Sequence, residues 1–267
     1  MAYRYRSYGF GSGLTPTVRA LLVANVAVHF AQMFLRAPAR IGFLDAFGLV
    51  PAAAISQAHV WQFLTYMFLH GGLLHLLFNM FALWMFGGEI ESLWGRRRFL
   101  EYYLICGLGG GLTYTLTAWG STTPLVGASG AIFGILLAYG LLFPDRQILL
   151  YFIIPIKARW FVVLFGALEL LAAWQGAGGN IGHFAHLGGM LFGYLYLKAG
   201  LQRGGLDAAW RRRRARSRLR VLESERPVPP RPEATEVDRI LEKISREGLT
   251  SLTEHEKDVL RSAGRRH

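Results

Sequence analysis

Residues 127–134 read GASGAIFG, and the uncharged run around them extends from Thr123 to Leu142. A serine in such a run ordinarily hydrogen-bonds the carbonyl one turn back, and glycines four apart ordinarily serve close helix packing. Chemistry at Ser129 would need a partner, because a serine is a poor nucleophile until a base takes its proton. Two stretches supply imidazoles. GGLLHLLFNMFALW puts His75 and Asn79 four residues apart on one helical face, and NIGHFAHLGGMLFG puts His186 on a face with Gly189 and Gly193. Taken singly, each of these polar groups is equally well read as an interhelical hydrogen-bonding residue.

Taken together they form a set. Gly130 with Gly134, and Gly189 with Gly193, are pairs of small residues that let two helices approach until a hydroxyl meets an imidazole. A neutral imidazole can act as base without a carboxylate, since Ser-His-Asp triads have two-member variants. His75, Asn79 and the Ser129 backbone N–H can then donate to a developing oxyanion. This chemistry calls for no metal and no cofactor. Glu169 is either a hydrogen-bonded structural acid or a gate or proton site; His70 and His183 read as supporting or loop residues. Glu91, near Arg96–Arg98, reads as a capping or pairing group.

These residues need apolar elements to position them. The chain has 267 residues, 52% hydrophobic and 17% charged, with a mean hydropathy of +0.29, too apolar for an ordinary soluble domain. At about 20 residues per spanning helix, six spans are expected, near 17–36, 73–93, 98–118, 124–143, 159–175 and 182–202. ILLYFIIP, at 148–155, is too short to span and reads as an interfacial lead-in to the fifth. The loop at 37–72 is apolar and aromatic, which suits amphipathic or re-entrant structure in the interface. The fold class expected is an all-α, six-helix polytopic membrane protein followed by a small helical hairpin.

Charge orients the bundle. Of the 12 Lys/Arg up to residue 202, only Arg36 and Arg40 follow an odd-numbered span, and the loops near 119–123 and 176–181 carry none. The positive-inside rule therefore puts both termini in the cytoplasm. The whole-chain charge is +12, half of it from residues 203–267, where 17 Lys/Arg face 11 Asp/Glu. A basic cluster at 211–220, directly after a membrane span, reads as a contact for anionic lipid rather than nucleic acid. Cys106 is the single cysteine, so no internal disulfide forms. MAYRYRSYGFGSG lacks the apolar core of a cleaved signal.

Residues 203–233 read as a basic, proline-containing linker, and 234–267 as a helical hairpin. Val237, Ile240, Leu241 and Ile244 make its apolar stripe, Gly248 its first stop, and Thr253 with Glu256 a capping box. Two short helices bury little surface alone, so a docking partner in the cytoplasm is expected.

Over residues 45–200 the sequence resembles the rhomboid family of intramembrane serine proteases. GASGAIFG resembles the family's G-x-S-G stretch with the nucleophile at Ser129. AHLGGMLFG resembles A-H-x-x-G-x-x-x-G with the catalytic histidine at His186, and HLLFN resembles the H-x-x-x-N stretch of oxyanion donors at His75 and Asn79. GGEIESLWG resembles G-x-x-x-E-x-x-x-G, which implies a structural role for Glu91. Phe133 matches the aromatic position on which the catalytic imidazole stacks. Trp61-Gln62 stands where many members have Trp-Arg, which puts the shaping of the first loop in question. The resemblance implies a Ser-His endopeptidase in a bacterial cell membrane, acting on single-span or other membrane proteins. Its competitors are a non-cutting scaffold that recognises membrane helices and a transporter or metal carrier built on His70, His75, His183 and His186.

Overall fold

In the computed structural model, residues 14–150, 153–175, 182–202 and 232–264 are described. The chain divides into two compact units at about residue 210. The first is a helical bundle: α1 (Pro16–Phe34), α2 (Ala37–Phe47), α3 (Pro51–Ser56), α4 (Gln62–Thr65), α5 (Leu73–Ala82), α6 (Gly88–Trp94), α7 (Arg96–Thr117), α8 (Ser129–Leu142), α9 (Ala158–Gln175) and α10 (His183–Gln202). A π-helical turn at Leu83–Gly87 joins α5 to α6, so the two form one continuous 22-residue span, Leu73–Trp94.

By length and hydropathy, three of the described helices suffice to cross a membrane: α1, the α5–α6 span and α9. α7 and α10 are long enough but diluted by glycines, and α7 also by Arg96–Arg98. Those glycines mark the interior. α7, α8 and α10 form the most closely packed trio, around buried Tyr102, Tyr103, Cys106, Ile135 and Ala185. α9 is the opposite case. Its outer face, with Val163, Leu170, Leu171 and Trp174, is exposed, as suits a helix whose solvent is lipid.

Two expectations are corrected by the structure, and a third is narrowed. The fourth span begins at Ser129 rather than 124: Leu125 is extended and pairs with Leu49 in an antiparallel bridge, each N–H donating to the other's carbonyl at 2.9–3.0 Å. Pro124 and Gly127 disfavour helix there. α8 is thus 14 residues, about 21 Å at 1.5 Å per residue, and its start lies within the bundle. ILLYFIIP, at 148–155 and read as a lead-in, instead falls largely within an antiparallel pair of strands, β1 (Gln147–Leu150) and β2 (Ile154–Lys157). Of the two alternatives read for Glu91, capping or pairing with arginine, the structure shows the cap, and among the described residues no ion pair joins it to an arginine. Glu91 is buried and caps α1, accepting from Thr15 Oγ1 at 2.5 Å and from the Thr17 and Val18 N–H groups at 2.9 Å. An N-terminus stripped of water needs such an acceptor, and a carboxylate there also answers the helix dipole.

The first loop is ordered by Gln62, which is fully buried. Its Oε1 accepts the Val50 N–H at 3.0 Å while its Nε2 donates to the Asp45 carbonyl at 2.8 Å. Trp61 Nε1 donates to Ala46 O, and Thr65 Oγ1 to Phe47 O. An amide both donates and accepts, which a guanidinium cannot do, so glutamine at 62 closes this loop in its own way.

Of the expected linker, 203–231 lies outside the described residues, as do the arginine cluster at 211–220 and the loop at 176–181. The second unit contains α11 (Pro232–Glu247) and α12 (Glu254–Gly264). Gly248 turns between them at φ +80, a left-handed conformation that favours glycine. Thr253 and Glu256 bond reciprocally, at 2.8 Å from the Thr253 N–H to Glu256 Oε2 and at 3.3 Å from the Glu256 N–H to Thr253 Oγ1. Lys243 reaches the same carboxylate at 2.9 Å. The Thr253 N–H, with Lys243 beside it, holds the Glu256 carboxyl down at about 2. Ile240 and Leu252 are buried, but Leu241 is exposed, so it does not share the buried face of its stripe.

Candidate active site

Ser129 is the first residue of α8, with Ala128 as N-cap. The sharp entry is made by Gly127, whose φ of +125 is unfavourable for any side chain. The Gly127 N–H donates to the Tyr66 carbonyl at 2.9 Å, which fixes the entry to the first loop. At the start of a helix the N–H groups have no intrahelical acceptor and present partial positive charge. The backbone around Ser129 is therefore a ready donor set for an anion.

α10 brings the imidazole. Ser129 Oγ lies 2.8 Å from His186 Nε2. The ring is stacked on Phe133, one turn along α8, with centroids 4.3 Å apart and planes 8° from parallel. What permits the approach is the absence of side chains. A Cβ at Gly189 would overlap the Gly130 carbonyl group, one at Gly134 would run into Cys106, and one at Gly193 would meet the Tyr102 hydroxyl. Gly110 of α7 joins this contact, 3.6 Å from where a Cβ at Gly130 would sit. The close contact is thus among three helices, not the two considered from sequence. Tyr102 OH donates to the Gly134 carbonyl and Tyr66 OH to the Gly107 carbonyl, both at 2.6 Å; neither tyrosine was singled out from sequence.

His75 and Asn79 approach from α5. The His75 ring flanks Gly127: a Cβ there would stand 2.9 Å from His75 Nε2 and 3.6 Å from Ser129 Oγ. The Asn79 amide donates to the His75 carbonyl at 3.0 Å. The His70 ring lies 5.1 Å from that of His75, centroid to centroid, and His29 lies 6.3 Å beyond it.

Glu169 is placed where sequence reasoning did not put it. Its Oε2 lies 2.6 Å from His183 Nδ1 and 2.9 Å from His186 Nδ1. The first is a hydrogen bond. The second is close enough for charge but off the line of the ring N–H, so Nδ1 has no aligned partner at rest. The signal in the sequence was slight: two histidines three apart on one face of the sixth span, and one acid midway along the fifth. The ligand atoms of Glu169, His183 and His186 all lie within 4.8 Å of one another, with the carboxylate oxygen already hydrogen-bonded to His183.

These features define a polytopic helical membrane protein with a serine and a histidine paired inside the bundle. The Rhomboid domain family matches residues 57–203, more than half of the chain, and the chain belongs to that family. Residues 231–265 match a second family, one of unknown function. The rhomboid protease GluP of Bacillus subtilis is 36% identical over 163 residues, covering 61% of this chain and 30% of that protein. Rhomboid protein 1, mitochondrial, of Saccharomyces cerevisiae is 35% identical over 138 residues, 48% of this chain and 38% of its own. Presenilin-associated rhomboid-like protein A, mitochondrial, of Danio rerio is 33% identical over 220 residues, 76% of this chain and 52% of its own. The chain thus spans between about a third and a half of the length of these relatives.

Proposed function

We propose that this chain is an intramembrane serine endopeptidase that cuts within or beside transmembrane segments of other membrane proteins. One observation carries the reading: Ser129 Oγ lies 2.8 Å from the Nε2 of an imidazole held flat against Phe133, at the open N-terminus of a helix that begins inside the bundle. In this reading Ser129 attacks the scissile carbonyl and its proton passes to His186 Nε2. The oxyanion is met by the Ser129 N–H, with His75 and Asn79 as further donors. His186 then returns the proton to the leaving amine, and water hydrolyses the acyl-enzyme by the same route in reverse. A helical substrate must unwind locally before its backbone can enter. The name of the Bacillus relative, a rhomboid protease, supports the same activity. The distribution of Lys/Arg supports a topology with both termini in the cytoplasm, and the Bacillus relative supports a bacterial cell membrane as its place.

The test is cleavage of a panel of single-span substrates by the purified protein. Ser129→Ala and His186→Ala should each reduce cleavage to background, with the double variant no worse, because the two act as a unit. A fluorophosphonate probe should label the parent and not Ser129→Ala, and cleavage should survive a strong chelator. Cleavage retained by Ser129→Ala overturns the mechanism. A folded parent that neither labels nor cuts would be a scaffold, and a non-cutting protein purified with stoichiometric metal would be the metal carrier.

A further inference from the structure

We infer that Glu169 is a positioning residue for His186, so that the working unit is Ser129, His186 and Glu169 drawn from three helices, with His183 locking the carboxylate in place. This rests on the assignment of Ser129 and His186 proposed above.

The argument begins with the proton on the ring. If His186 Nε2 is to accept from Ser129 Oγ, a neutral imidazole must carry its proton on Nδ1. Nδ1 faces Glu169 Oε2 at 2.9 Å, and an acceptor there selects that tautomer over the idle one. The carboxylate itself is held by His183 Nδ1 at 2.6 Å. His183 and His186 are three residues apart and so share one face of α10. Their rings stand edge to face, 86° apart with centroids at 6.4 Å, so that both Nδ1 atoms converge on one oxygen.

Charge supplies the second reason. The Glu169 side chain is only 15% exposed, and the contacts found for it are these two imidazoles, neither of which carries a full positive charge while neutral. A carboxylate enclosed in this way is costly at rest. When His186 takes the serine proton, an imidazolium appears beside it and the pair becomes attractive. The gain arises only as the transition state is approached, which is the kind of interaction that raises turnover rather than substrate binding. The proton moves from Ser129 Oγ to His186 Nε2 and later to the leaving amine; the Nδ1 proton stays on the ring and Glu169 stays ionised. The oxygen's offset from the N–H axis at rest matches catalytic hydrogen bonds that tighten only with substrate.

The experiment uses the full chain in detergent with a single-span substrate. Glu169→Gln, which keeps the shape and removes the charge, should lower kcat at least about 10²-fold, with about 10⁴-fold, the loss seen when a triad carboxylate is neutralised or removed, as the upper end. KM should stay within about threefold, and fluorophosphonate labelling of Ser129 should slow in parallel. Glu169→Asp should fall between that variant and the parent. Retention of kcat within about threefold in a folded Glu169→Gln protein overturns the inference and leaves the Ser129–His186 reading standing. Cleavage by Ser129→Ala would instead remove the reading beneath it. Nitrogen-15 NMR of labelled histidines in the unaltered protein gives a second measurement that needs no variant. His186 should hold its proton on Nδ1, and the Nε2–H tautomer overturns the inference.

Discussion

At the scale of single residues, Asn79 separates oxyanion stabilisation from substrate docking. In the resting molecule its amide nitrogen is on the His75 carbonyl, one turn back on the same helix. It has a second N–H to give, and under the proposed reading that group meets the oxyanion only after attack. Asn79→Ala should therefore lower kcat by about 10²–10³, as loss of one such donor does in a known protease, with KM nearly unchanged. Steady-state kinetics on a single-span substrate checks this, and an effect confined to KM would make Asn79 a docking residue. Ser129, His186, His75 and Asn79 were legible in the sequence because each sits beside the glycines or at the helical spacing that gives it away. Glu169 was not. Its approach to His186 depends on how α9 is rotated about its own axis, and the nearly uniform apolar run around it leaves that rotation open. Gln62 was legible only as a departure from a pattern. Its burial and its paired donor and acceptor contacts became visible once the loop had closed on it.

At the scale of elements, the site depends on backbones meeting without side chains between them. Gly189 is the tightest point, because a Cβ there would overlap the Gly130 carbonyl group itself, which cannot swing away as a flexible side chain would. Gly189→Ala should therefore push α8 and α10 apart, at a cost of about 1–3 kcal/mol in overpacking, and stretch the reach between Ser129 and His186. The expected outcome is a loss of at least tenfold in cleavage together with a lower melting temperature. Gly42 is the control, since a Cβ there meets nothing within 4 Å. Gly42→Ala, inside α2, should be neutral or stabilising by up to about 1 kcal/mol. Equal behaviour of the two variants would mean that the helix contact tolerates a methyl group. The small-residue pairs announced close packing, but one sequence could not say that α7, through Gly110, Tyr102 and Cys106, is a full party to it. Nor could apolarity alone place the start of α8. The run from Thr123 is lipid-like throughout, and it is the bridge between Leu125 and Leu49 that draws its first residues out of the helix.

At the scale of the whole molecule, the chain combines a membrane unit that holds every candidate catalytic group with a hairpin that holds none. The hairpin is stabilised within itself. Gly248 turns it, Thr253 and Glu256 cap α12, and Lys243 joins α11 to the same carboxylate. His255 is exposed on a charged helix, and among the described residues it enters no hydrogen-bonded set with a nucleophile or acid. The hairpin does leave apolar surface open, at Leu241 and Leu249, which suits the docking role expected of it from the sequence. Deleting residues 234–267 should therefore leave cleavage of a detergent-solubilised substrate within about twofold of the parent, while removing whatever association the hairpin supports in the cell. The proposed topology gives the reason: Ser129 lies a few residues after the uncharged 119–123 loop, toward the side of the membrane opposite both termini. Cleavage by the truncated and full-length proteins, matched for folding by their melting temperatures, decides the matter. A folded, truncated protein that no longer cuts would make the hairpin an integral or allosteric part of the protease, and the separation of the chain into a catalytic and a docking unit would fall.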